Sequence, residues 1–209
     1  APVTYAILPD RARSRRVLTE LRRAGKQALL HMPMEPDPGA PVGPGEPAVM
    51  VGMDAAEIRE AVARGLNGLP GVVGVNNHMG SQMTDRQQPM ASLMRALQQR
   101  HLFFLDSRTN AATVAAATAQ RIGLASLSRD IFLDDDPSPE AVAAQFRAAV
   151  QLARKQGSVV VIGHPHPATL ALLERELPKL GAQGIDWVDI GQMIANRAMI
   201  AHGVNGRYR

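Results

Sequence analysis

A chain of 209 residues, 45% hydrophobic and 20% charged, has the size and composition of one folded domain with one core. It has no cysteine, which excludes thiolate metal ligands, a cysteine nucleophile and disulfides. No apolar run reaches the roughly 18 residues that a bilayer span needs. The net charge of +4 comes from arginines scattered mostly over helical stretches, as at Arg11–Arg16 and Arg22–Arg23. With only 3% aromatics, this argues against a nucleic-acid-binding face.

In chain order, residues 3–8 read as a strand stopped by Pro9. Ser14 is placed to cap a helix that runs through Arg23 and ends at Ala24-Gly25. Residues 28–32 form the next strand, closed by Pro33, and the Pro/Gly-rich stretch 36–47 is a loop. Asp54 caps a helix through Leu66. A strand at 72–76, a helix at 85–100, a strand at 101–106 and an alanine-rich helix at 111–121 follow. Residues 123–127 are a strand, and Asp134-Asp135-Asp136-Pro137 is a solvated acidic loop. Ser138 caps a long helix to Gln156, with Pro139 in its first turn. A strand at 158–162, a helix at 169–180, a strand at 185–188 and a short helix at 190–197 complete the series. Seven strands alternating with helices predict parallel βαβ units and an α/β fold. Pattern alone leaves an open doubly wound sheet and a barrel as alternatives.

The informative feature is where the polar residues fall. His31 ends the second strand; Asn76, Asn77 and His78 end the third; Asp106 ends the fourth. Arg129 and Asp130 follow the fifth, and His164 and His166 follow the sixth. In both barrels and open α/β sheets, ligands bind at the C-terminal strand edge. Each residue also has a plain structural reading. A lone histidine can be satisfied in place, Asp106 can cap the helix after it, and Arg129-Asp130 can be an ion pair. In His164-Pro165-His166-Pro167 the prolines favour extended backbone, which lets imidazoles two residues apart face the same way. Imidazole and carboxylate together suit zinc or another first-row divalent ion, with about three protein ligands and one position open to water.

Five segments occur in order: Leu30-His31-Met32-Pro33-Met34-Glu35-Pro36, Asn76-Asn77-His78-Met79-Gly80-Ser81, Asp106-Ser107-Arg108-Thr109, Ser128-Arg129-Asp130-Ile131-Phe132-Leu133-Asp134 and Ile162-Gly163-His164-Pro165-His166-Pro167. Together they resemble the divergent polysaccharide deacetylases, distant relatives of the NodB-type carbohydrate esterases. The resemblance implies a distorted, incomplete (β/α) barrel of about seven strands. It also implies a single deacetylase-like domain over residues 1–209, and a divalent metal, typically zinc. The implied reaction removes acetyl groups from N-acetylated cell-envelope glycans, in a bacterial periplasmic or envelope setting; no targeting segment is read in these residues. The resemblance makes His78 a metal ligand and His164 a metal ligand or general acid, with His166 beside it in the metal set. Asp106, Arg129 and Asp130 shape and polarise the pocket as catalytic residues, while His31, Glu35, Asn77 and Ser81 line the substrate side.

Two departures from the family pattern are expected. The first family strand, with its Asp-Asp pair, does not precede the strand at 3–8, and Ser81 and Gln82 stand where a His-x-x-x-His pair would place its second histidine. They motivate the alternative of a glycan-binding or envelope-organising protein without turnover. A glycosidase using Asp106 and Asp130 ranks last, because the histidines would then have no role.

Overall fold

The structure, a computed structural model, describes residues 2–201, the side chains of 200 and 201 aside. The chain forms two compact units. The larger comprises Val3–Leu127 and the described residues from Asp189 onward, and the smaller is Ser128–Val188 with Pro2.

The larger unit contains β1 (Tyr5–Ile7), α1 (Ser14–Arg23), β2 (Ala28–Met34), α2 (Ala55–Gly68), β3 (Gly74–Met79), α3 (Gln87–Gln98), β4 (Phe103–Asp106) and α4 (Ala115–Ile122). Here β5 (Ser126–Ser128) ends at the unit boundary, and α7 (Ile190–Ala201) completes the unit. Strands β1 to β5 form one sheet in sequential order, and the β1–β2, β2–β3 and β3–β4 ladders are parallel. The smaller unit holds β6 (Ile131–Phe132), α5 (Pro139–Gln156), β7 (Val161–Ile162) and α6 (Pro167–Leu180), with β6 and β7 paired in parallel.

The interior strands explain why the sheet is buried. In β2 every residue but His31 is buried, and Leu30, Met32 and Met34 pack with Val75, Phe104, Ile58, Val62, Leu93, Met94 and Leu97. With few aromatics available, unbranched methionines (Met32, Met34, Met83, Met90 and Met94, all fully buried) fill the irregular gaps. The smaller unit has its own core around Leu133, Val142, Phe146, Leu172 and Leu180.

Two expected caps are present. Asp54 Oδ1 accepts the amides of Ala56 (2.7 Å) and Glu57 (2.9 Å), and Glu57 returns a bond to the Asp54 amide, closing a capping box on α2. These amides, Glu57 first and then Ala56, hold the Asp54 carboxyl below its ordinary value. Ser138 Oγ accepts the Ala141 amide, with Pro139 as the first residue of α5.

Other expectations are corrected. Ser14 does not cap α1: it is buried and donates to the Leu8 carbonyl at 2.6 Å, while Arg13 takes the cap position. Pro33 does not close β2, which continues to Met34; the Pro33 carbonyl accepts the Val49 amide, so the lost N–H leaves the strand supported. Among the described residues the strand count agrees with expectation, but the set differs. Residues 185–188 are irregular; Ile185 and Trp187 are apolar because they pack on the small core, not because they join a ladder. The added strand is Ile131–Phe132, two residues long and too short to show a period. The strands form a five-stranded and a two-stranded sheet.

Candidate functional site

In the smaller unit, β6 and β7 run parallel in a register that pairs Ile131 with Val161 and Phe132 with Ile162. Continuing that register past the strand ends brings Asp134 to His164. Asp134 is buried, 3% exposed, and all its bonds are internal. Its Oδ2 accepts the His164 amide at 2.7 Å and the Thr169 hydroxyl at 2.7 Å, and its Oδ1 lies 3.2 Å from His164 Nδ1. Thr169 is in the first turn of α6, the end of a helix that favours a carboxylate. Gly163 makes the approach possible, since a Cβ there would stand 3.1 Å from Asp134 Oδ2.

His164 and His166 are exposed, with ring centroids 5.7 Å apart, so the proline-framed segment does bring the two imidazoles to one side. Phe132 packs against His164 at 5.4 Å, and the Arg129 guanidinium lies over the Phe132 ring at 5.2 Å. The ligand-capable atoms of Asp134, His164 and His166 all fall within 4.8 Å of one another. One carboxylate oxygen and two imidazole nitrogens, the imidazoles on exposed side chains that can turn, are a donor set that fits zinc.

Asp134 is the residue that sequence reasoning missed. The run Asp134–Asp136 reads as a solvated loop, and this holds only for its exposed members. Asp136 accepts the Ser138 amide at 2.9 Å, and its bonds to Ser138 keep its carboxyl below the usual value. The available signal was the apolar triplet Ile131-Phe132-Leu133 just before Asp134, which marks a strand end like the others. Asp130, on the other side of β6, accepts the Val160 amide at 2.7 Å and ties the starts of β6 and β7 together.

In the larger unit His31, Asn76, Asn77, His78 and Asp106 lie within their strands rather than past them. His31 pairs in register with Asn76, and Pro33 with His78. Alternation therefore puts His31, Asn76 and His78 on one face and Asn77 on the other. His78 Nδ1 lies 3.1 Å from His31 Nε2, with the rings edge-to-face at 4.7 Å. Asn77, fully buried, accepts the Ser107 amide and donates to the Met79 carbonyl and Thr109 hydroxyl. Asp106 is also fully buried; it accepts the Arg108 amide at 2.8 Å and the Thr113 hydroxyl at 3.0 Å, which organises the loop before α4. The Glu35 carboxylate accepts the Val51 amide, and Ser81 Oγ accepts the Asp37 amide.

The molecule is thus a parallel α/β protein with a His/carboxylate cluster just beyond paired strand ends, the kind of site on which hydrolytic chemistry is built. A profile of divergent polysaccharide deacetylases matches residues 1–194, and the chain belongs to that family. It is 40% identical over 198 residues to an uncharacterized protein of Haemophilus influenzae, covering 95% of this chain and 70% of that one. It is 38% identical over 173 residues to the uncharacterized protein YibQ of Escherichia coli, covering 83% of this chain and 54% of YibQ, so it spans about half of that relative. The crystal structure of an uncharacterized protein from Agrobacterium tumefaciens superposes with a TM-score of 0.86 at 22% identity, covering 91% of this chain and 77% of that one, and so shares the fold. No helix among the described residues is long and apolar enough to cross a membrane.

Proposed function

We propose that this chain is a divalent-metal-dependent hydrolase that removes acetyl groups from N-acetylated glycans of the bacterial envelope. In this reading residues 1–209 act as one deacetylase-like domain, the incomplete barrel that the family resemblance implies. The family profile, which runs through both units, supports it.

The observation that carries the reading is the buried Asp134 holding an exposed His164 beside His166. The carboxylate takes up Nδ1 of His164, which leaves Nε2 as that ring's working atom. There it would either join His166 in holding the ion, with Asp134 fixing the ring from behind, or give a proton to the amine nitrogen as the acetyl C–N bond breaks. Zinc held there would supply an activated water and polarise the acetyl carbonyl. Phe132 packs against His164, and Arg129 lies over the Phe132 ring. His78, set against His31, is the histidine that the family resemblance assigns to metal.

The test is zinc titration by calorimetry together with acetate release from N-acetylated oligosaccharides, for the wild type, His164→Ala, His166→Ala and His78→Ala. Zinc binding lost in His164→Ala and His166→Ala makes the cluster the ion site. Zinc retained but acetate release lost in His164→Ala makes His164 the acid rather than an ion ligand. A wild type that binds no divalent ion and releases no acetate overturns the hydrolase reading.

The second reading, a glycan-binding protein without turnover, is favoured by one observation. Gln82 stands four residues after His78, where the family pattern would place a second metal histidine. Oligosaccharide binding that persists without acetate release would select it.

A further inference from the structure

Arginines occur along the whole chain, but one segment concentrates positive charge. Residues 11–26 hold seven of the 23 lysines and arginines and one of the 19 carboxylates, a net +6, so all other residues together net −2. Helix α1 lies in this segment and turns Ser14, Leu18 and Leu21 toward the core. At 3.6 residues per turn, the opposite pole falls on Arg16 and Arg23, two turns apart. Arg13 and Val17 lie on one flank of that pole, and Arg15 and Arg22 on the other.

The second flank is anchored. Arg15 donates to the Asn67 carbonyl at 2.9 Å and Arg22 to the Pro70 carbonyl at 3.5 Å, both near the C-terminal end of α2. Arg16 pairs with Glu20 at 2.9 Å, with the two side chains 80% and 58% exposed, a pair that water and salt weaken. Among the described residues no carboxylate lies within ion-pair distance of Arg11, Arg13, Arg15, Arg22 or Arg23, and all five are exposed.

We propose that this face of α1 docks the larger unit on a membrane surface rich in anionic phospholipids. The inference stands independently of the hydrolase reading. The apolar side of the helix is committed to the core, so the contact is peripheral and electrostatic rather than inserted. A row of guanidinium groups along a helix of about 15 Å meets headgroup phosphates on a flat surface. Val17, 39% exposed among the arginines, adds an apolar contact at the headgroup level. The segment contains no aromatic residue, so it offers no platform on which nucleic-acid bases could stack. A second copy meeting this face with its own α1 would present the same positive charge and be repelled.

The experiment is co-sedimentation of the full chain with vesicles of mixed phosphatidylglycerol and phosphatidylcholine, against phosphatidylcholine alone. The wild type should bind only the anionic vesicles and should release as salt shortens the Debye length. R16Q/R23Q keeps good helix formers and should bind about 25-fold more weakly, about fivefold for each lost charge near the surface. R147Q/K155Q, in the smaller unit, removes the same charge elsewhere and should bind like the wild type. Three results would overturn the proposal: no preference for anionic vesicles, equal weakening in both double variants, or duplex DNA bound as tightly as vesicles at the same salt. Circular dichroism of each variant shows whether the fold is kept.

Discussion

Replacing Thr169 with valine keeps its shape and removes one donor from Asp134. The hydroxyl lies 2.7 Å from Oδ2, Thr169 is 2% exposed and the carboxylate is buried, so water cannot replace the bond. A hydrogen bond to a charged group contributes about 1.5–3 kcal/mol net, and Thr169→Val should cost about that much. Asp134→Asn acts differently. An amide oxygen at the Oδ2 position keeps the bonds from His164 N and Thr169 Oγ, but each falls from the charged to the neutral range, about 1 kcal/mol apiece and about 2 kcal/mol together. The amide NH2 then faces His164 Nδ1, which must become an acceptor, so the ring changes tautomer while the fold survives.

The assay is urea unfolding followed by the fluorescence of Trp187, the only tryptophan, which packs on the core of the smaller unit. The double variant should show a coupling of about 1 kcal/mol, because the Thr169 bond has already lost its charge assistance in Asp134→Asn. Nitrogen-15 NMR should place the proton on Nδ1 of His164 in the wild type and on Nε2 in Asp134→Asn. If both single variants cost less than about 0.5 kcal/mol, the range of ordinary surface changes, Asp134 is not the buried acceptor described here.

The other predictions concern the larger unit. Gly74 pairs in register with Phe103, and a Cβ at Gly74 would meet that ring at 2.5–2.8 Å; Gly74→Ala should therefore cost about 1–3 kcal/mol by overpacking. Phe103→Leu in the same chain should recover part of that loss in thermal melts, and a Gly74→Ala protein as stable as wild type would refute the register. Asp54→Ala should lower the melting temperature at neutral pH. The Asp54 carboxyl titrates below its ordinary 3.8, so its stabilisation is present above that value and is lost as pH falls through the lower folded value. The gap between wild type and variant should close on acidification, and a gap independent of pH would mean that the carboxylate is not the cap. Gly80→Ala should also destabilise, since Gly80 sits at φ +85° with the Met34 Cβ 2.8 Å from where its own Cβ would stand; an unchanged denaturation midpoint would count against that geometry.

The alternation of apolar runs with helical periods determined the parallel α/β class, because continuous apolar strands need cover on both faces. Local chemistry also determined the Asp54 and Ser138 caps, whose bonds span only three residues. The five segments carried the family, since their order and residue types are readable without any contact. Tertiary structure decided the rest. Asp134 became the centre of the smaller unit's cluster only because parallel pairing puts it opposite His164, thirty residues away, with Thr169 behind it. Its neighbours Asp135 and Asp136 have the same local character and stay in water. Likewise His31 meets His78 through the β2–β3 register, and residues 185–188 pack on the core without a ladder partner. Periodicity reports which side chains avoid water; it does not report which distant strand supplies the partner, and here that pairing decides which polar residues come together.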